Sequence, residues 1–184
     1  MRAAELHIYD PTPRYIDTMF FPSEDNVEKL KNYIYKTKKI LKICVFNFTN
    51  NQLRNAVLDV WDTGAEVKII TDDETMKNRG NDIQFLVDKG IPVRTDNSER
   101  NHMHNKYIVV DNKFVVTGSF NWTVQAVDSN QENLLVVDHP YYIHQYDENF
   151  EDLWDEFEAQ QCEASGKSYN KREKKRYNRD DYRR

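Results

Sequence analysis

Apolar residues recur along this chain with two different periods, and the pattern changes near residue 100. Met19-Phe20-Phe21 reads as a short strand ended by Pro22, and Ser23 caps a helix on which Val27, Leu30 and Ile34 keep helical spacing. Residues 40–48, rich in Ile, Val and Phe, predict a buried strand. Thr49-Asn50-Asn51-Gln52 has the form of a capping box, followed by Leu53, Val57 and Trp61 on one stripe and Gly64 as the stop. Residues 66–71 are the next strand. A helix from about Asp73 turns Ile83, Leu86 and Val87 inward and stops at Gly90, and residues 91–94 resume the sheet. Strand and helix alternating in this way predict a mixed, largely parallel α/β sheet sandwiched between helices.

Beyond residue 100 the alternation gives way to hairpins. Residues 106–111 and 114–118 are strands joined through Asp111-Asn112-Lys113. A short helix near 122–127 and a strand at 133–138 follow. The last helix begins near Pro140, with Ile143, Tyr146, Phe150, Trp154 and Phe157 as its apolar stripe. From residue 161 the pattern dissolves into charge, so the expectation is one domain over 1–160 and a disordered tail over 161–184.

Composition narrows the function classes. The 184 residues are 39% hydrophobic, enough for one real core. No run approaches the ~20 apolar residues of a membrane span, and the N-terminus has no apolar signal region. Cys44 in a strand and Cys162 in the tail form no framework, which points to a reducing compartment. The expected location is intracellular and soluble, either cytoplasmic or peripheral at the mitochondrial surface. The formal net charge of −5 is unevenly spread, because residues 161–184 carry nine basic and four acidic side chains. An acidic body argues against broad adhesion to nucleic acid, so any polyanion site must be local.

The chemistry lies in His104-x-Lys106-x4-Asp111, followed by Gly118-Ser119-x-Asn121. Side chains two apart in an extended segment share a side, which sets a nucleophile or proton carrier beside a fixed positive charge. A phosphate ester needs both. Lys106 can hold one nonbridging oxygen, and the Asn121 amide another. His104 can attack as a neutral imidazole while a second imidazolium protonates the departing oxygen. Ser119 is a supporting hydrogen-bond group. Only one such motif is present, so the second histidine must come from another copy, which predicts a two-fold homodimer with a shared site. His102 is read as a rim residue, because no acidic or cysteine ligands stand at metal spacing from His102-Met-His104. Lys77, Arg79, Arg94 and Arg100 are further candidate rim cations.

The motif resembles the HKD signature of the phospholipase D superfamily. Met19-Phe-Phe-Pro-Ser23, Val45-Phe-Asn-Phe-Thr49, Val67-Lys-Ile-Ile-Thr-Asp72 and Gly118-Ser-Phe-Asn-Trp-Thr-Val-Gln-Ala126 are similar to its mitochondrial phospholipase D/Zucchini branch. The resemblance implies that Glu132 orients the catalytic ring and that Asp111 and Gly118 shape the motif. It also implies that two single-motif chains pair and that no metal or other cofactor is required. The branch usually carries an N-terminal anchor and a small Cys/His zinc module; here Ser23 leads directly into a helix. The leading expectation is a metal-independent endonuclease of single-stranded RNA or DNA, acting through a phosphohistidine intermediate and leaving 5′-phosphate ends. The alternatives are a phospholipase D-type hydrolase of cardiolipin or another phospholipid, and an inactive scaffold of the same fold.

Overall fold

In the computed structural model, residues 16–76, 82–96, 98 and 100–164 are described. The strands are β1 (Ile16–Phe21), β2 (Ile40–Val45), β3 (Glu66–Thr71), β4 (Val93–Thr95), β5 (Lys106–Val110), β6 (Phe114–Gly118) and β7 (Glu132–Val137). The helices are α1 (Glu24–Ile34), α2 (Asn51–Asp62), α3 (Asp73–Met76), α4 (Ile83–Asp88), α5 (Val124–Asp128) and α6 (Pro140–Ala164). The strands form one sheet in the order β1-β7-β6-β5-β2-β3-β4.

The mixed α/β sheet between helices is as the residue pattern predicts, but the share of parallel pairing is smaller. Only β2–β3 and β3–β4 run parallel; β1–β7, β7–β6, β6–β5 and β5–β2 are antiparallel. The reason is connection length. Helices α2 and α3–α4 are long enough to carry the chain back for a parallel crossover, whereas a tight turn between β5 and β6 permits only an antiparallel return.

Alternation along each strand divides two cores. Leu41, Ile43, Val45, Val67, Ile69, Ile108 and Val110 face α1, α2, α4 and α5. Cys44, Ile70, Tyr107 and Val109 face α6, which contributes Ile143, Phe150, Trp154 and Phe157. Each of those four side chains is 6% exposed or less, and each contributes roughly 1.5–3 kcal/mol by burial. Lys42 also points into the α6 layer, where Asp147 and Glu151 (2.8 Å) neutralise it.

Several local expectations shift. The cap of α2 is Asn50, not Thr49, its Oδ1 accepting from the N–H of Gln52 (2.9 Å) and Leu53 (3.1 Å). Thr49 N–H is instead taken by the Trp122 carbonyl at 2.8 Å. Val87 is 37% exposed rather than inward, while Ile83 and Leu86 are fully buried. Thr123 caps α5, so that helix starts later than its apolar pattern suggests. Helix α6 continues to Ala164, beyond the expected end at 160. The remainder of the expected tail lies outside the described residues.

Candidate functional site

The topology brings one end of the sheet into a single region. The C-terminal ends of β2, β3, β4 and β6 meet the N-terminal ends of β5 and β7 there. β5 supplies Lys106 and, just before it, His104. β6 leads into Ser119 and Asn121, and β7 begins with Glu132. Close approach of the last two strands depends on Gly118. A Cβ added there would sit 2.0 Å from the Asn133 carbonyl oxygen, inside any van der Waals contact.

His104 is exposed and Lys106 half-buried. Lys106 Nζ donates to the His104 carbonyl at 2.7 Å and lies 3.1 Å from its Nδ1. An ammonium only donates, so this contact makes Nδ1 the acceptor and puts the ring proton on Nε2. The Phe46 ring packs against both groups, 4.6 Å from the His104 ring and 5.1 Å from Nζ. Burial, reinforced by the charges of Lys106 and His102, holds the His104 pKa below the ordinary histidine value. Burial also lowers that of Lys106, partly offset by the Glu132 charge. The lowered pKa favours the neutral ring beside a cation, the state a nucleophilic imidazole requires.

Glu132 is held by neighbours on both oxygens. Ser119 Oγ donates to Oε2, and Asn130 Nδ2 donates to Oε1 at 3.1 Å. Ser119 in turn accepts the Asn133 N–H at 3.1 Å. Among the described residues no hydrogen bond joins Glu132 to His104 within one chain. Asn121 Oδ1 is buried without a hydrogen-bond partner among the described residues. Trp122 lies beneath it, edge-on to Phe48 with ring centroids 4.8 Å apart, as a packing residue.

Asp111 lies at the opposite end of β5. Its carboxylate accepts three backbone N–H groups, from Lys38 (3.0 Å), Lys39 (2.8 Å) and Ile40 (2.9 Å). Asp111 and Asn112 have φ of 52° and 54°, and Lys113 N–H closes the turn on the Val110 carbonyl at 2.8 Å. These are residues of the type that tolerate the left-handed region.

The rim cations fare unevenly. Lys77 and Arg79 lie outside the described residues. Arg100 is exposed on the segment before β5. Arg94 is not a rim cation: its guanidinium stacks 4.1 Å over Trp154, pairs with Glu158 at 2.9 Å and donates to the Trp154 carbonyl. It docks α6 onto β4, because its position on a sheet strand faces the helix.

Sequence reasoning missed Asp72, Asp96 and Phe46. Asp72 is fully buried, and its Oδ2 lies 3.0 Å from His102 Nδ1. Asp72, Glu74 and His102, and likewise Asp72, Asp73 and Asp96, are close enough to share a cation, with ligand atoms within 4.8 Å. The acidic neighbours of His102 that are absent from its sequence vicinity are thus supplied by the fold. The oxygens are largely committed, however: Asp72 Oδ1 accepts Glu74 N–H (3.0 Å), and Asp96 accepts the N–H groups of Asp73 (3.2 Å) and Met103 (2.9 Å). Their position after parallel strands was the available signal, because open α/β sheets collect ligands at strand C-termini.

This sheet, carrying histidine, lysine, asparagine, serine and glutamate at one end, defines a domain of the phospholipase D type. Residues 30–154 match the family described as "Cardiolipin synthase, PLD-like domain", and the chain belongs to that family. It is 37% identical over 136 residues to the mitochondrial cardiolipin hydrolase of Mus musculus, covering 74% of this chain and 61% of that protein. It is 36% identical over 132 residues to the Chlamydomonas reinhardtii protein of the same name, covering 72% of this chain and 59% of that one. The chain thus spans less than two thirds of these relatives. Among solved structures, the phospholipase D family member Nuc from Salmonella typhimurium superposes with a TM-score of 0.72 at 28% identity, covering 78% of this chain and 96% of Nuc. NucT from Helicobacter pylori, at 24% identity and a TM-score of 0.68, shares the fold. Among the described residues, no helix is long and apolar enough to cross a membrane.

Proposed function

We propose that this domain is a metal-independent phosphodiesterase acting on single-stranded nucleic acid, through a covalent phosphohistidine on His104. The observation that carries the reading is the exposed His104 with Lys106 Nζ 3.1 Å from its ring. An incoming phosphate competes for the ammonium, because a charged oxygen is a better acceptor than imidazole. Lys106 then neutralises the phosphate and frees the ring lone pair for attack at phosphorus. The P–N bond forms as the P–O bond to the leaving group breaks, and a proton from an imidazolium on the far side satisfies the departing oxygen. Water, deprotonated by that second imidazole, then cleaves the P–N bond and releases a 5′-phosphate product.

Among the described residues the motif supplies one attacking ring per chain, His104, so the far-side imidazole is assigned to a second copy related by a two-fold axis. Glu132, already fixed by Ser119 and Asn130, serves as the carboxylate that orients a catalytic ring; Asn121 supports the phosphate from the β6 side. The polar approach through half-buried Ser98 and exposed Arg100, Asn101 and Asn105 suits a soluble polyanion. The similarity to mitochondrial cardiolipin hydrolases favours a second reading, hydrolysis of cardiolipin by the same chemistry.

The test compares the protein with His104→Ala on end-labelled single-stranded RNA and DNA, duplex DNA and cardiolipin vesicles, all in EDTA. Single strands cut only by the unaltered protein, with 5′-phosphate ends, support the nuclease reading. Phosphatidic acid without cut strands moves the substrate to lipid. Equal inertness of both proteins would remove the enzymatic reading.

A further inference from the structure

We propose, on the reading of His104 and Lys106 as a phosphodiester-cleaving pair, that His102 is a second phosphate-binding residue, receiving the phosphodiester adjacent to the scissile one in a single-stranded nucleic acid. The side chain is 46% exposed, yet its Nδ1 lies 3.0 Å from a carboxylate that is completely buried. Asp72 is itself held in place by hydrogen bonds. Its other oxygen accepts the N–H groups of Glu74 (3.0 Å) and Thr75 (3.4 Å), so only one oxygen is left for the ring. A histidine whose Nδ1–H is held by a buried carboxylate presents Nε2 in a fixed direction, and the carboxylate favours the imidazolium, the form in which Nε2 also carries a proton to donate.

The spacing between His102 and His104 is also built. Asp96 Oδ2 accepts the N–H of Met103 at 2.9 Å, between the two histidines, and Met103 is buried against Cys44. Both rings pack against Phe46, at 5.7 Å for His102 and 4.6 Å for His104. The distance between the two imidazoles is therefore set by a packed aromatic ring. Arg100, His102, His104 and Lys106 occupy every second position of one segment. A strand of successive phosphates meets such a row, whereas a single phosphodiester occupies only its end.

The charged groups facing His102 are Asp72, Glu74, Asp96 and His104. The Asp72 hydrogen bond, aided by the charges of Asp72, Glu74 and Asp96 and opposed by slight burial, raises the His102 pKa above the ordinary value. Asp72 and Asp96 are buried and bonded to backbone N–H groups, so they present little bare charge to a ligand.

The experiment measures binding in the His104→Ala background, where no turnover occurs, by competition against a fluorescent oligonucleotide. Competitors are a dinucleoside monophosphate, with one phosphodiester, and a trinucleoside diphosphate, with two. The second is expected to bind about tenfold more tightly, the worth of one charge-assisted contact. His102→Asn keeps an amide N–H for Asp72 and should erase that advantage while leaving the one-phosphodiester ligand unchanged. The advantage should fade as pH rises through the His102 pKa, and Asp72→Asn should move the fade to lower pH. An advantage that survives His102→Asn overturns the proposal, as does equal weakening of both ligands, which marks a merely structural role. Dependence on His102 seen only with cardiolipin vesicles overturns the nucleic-acid assignment. Failure of the phosphodiesterase reading appears separately, as inactivity of the unaltered protein toward every substrate.

Discussion

Strand β5 carries Asp111 at one end and the His104–Lys106 pair at the other, and the two ends are organised in opposite ways. At the Asp111 end the carboxylate is used internally, tying down three backbone N–H groups of the β2 approach. At the other end, His104 is exposed, Asn121 Oδ1 is unpartnered among the described residues, and Lys106 is loosely held by its own neighbour. Two members of one short motif thus do different work. The carboxylate closes a hairpin onto the sheet, and the basic pair stands ready for an external oxyanion. Unsatisfied polar capacity marks the functional end, because a satisfied group has nothing to offer a substrate.

Substitutions at the two ends should separate cleanly. The largest expected effect is on turnover: His104→Ala should lower kcat/KM by on the order of 10⁴-fold or more, with thermal stability changed by no more than about 0.5 kcal/mol. Steady-state kinetics and a melting curve on the same preparation check both halves, and a lost melting transition would break the contrast. Gly118→Ala should be costly in stability, by about 3 kcal/mol through overpacking. The new methyl would lie 2.0 Å from the Asn133 carbonyl and push β7, with Glu132, away from β6. Urea denaturation measures it.

Asp111→Ala should cost about 2 kcal/mol, because three backbone donors lose their shared acceptor. Asp111→Asn should cost less, since an amide oxygen still accepts and Asn tolerates positive φ; in either variant the residual folded protein should keep its turnover. Burial pushes the Asp111 carboxyl up, but the three backbone donors outweigh it and hold its pKa below the usual value. Its stabilisation is full above the unfolded value of about 3.9 and is lost as pH falls through the lower folded value. Acid titration of the parent against Asp111→Asn reads this difference.

The smallest effect concerns the acid limb of kcat/KM. Since the His104 pKa is lowered, chiefly by burial and then by Lys106, the neutral nucleophile persists below the ordinary histidine value of about 6.5. Activity should therefore decline only beneath that pH. A limb at or above it would show that the environment of His104 does not favour the neutral ring.

Much of this was legible before any coordinates. The residue types of the motif, the hairpin at Asp111, the cap at Ser23 and the apolar stripe of α6 depend on positions a few residues apart, where backbone geometry alone fixes who shares a face. The capping of α2 was misplaced by one residue because Thr49 and Asn50 are both competent caps, and their local spacing does not choose between them. Arg94 and Val87 were misjudged for a related reason: a polar or apolar side chain does not reveal which layer covers it. α6 gives Arg94 an aromatic ring and a carboxylate, while Val87 stays 37% exposed.

By itself, the sequence determined most of the elements, the two-layer burial of the central strands and the residue types gathered in the His-x-Lys motif. These follow from side-chain alternation, local capping and intrinsic chemistry, all short-range. Only the tertiary structure decided that Asp72, thirty residues before His102, would orient it, that Asp96 would pin Met103 and that Phe46 would separate the two imidazoles. Those contacts join the ends of β2, β3 and β4 to the approach of β5. They exist because the sheet places β2 beside both β3 and β5, an order no spacing along the chain encodes.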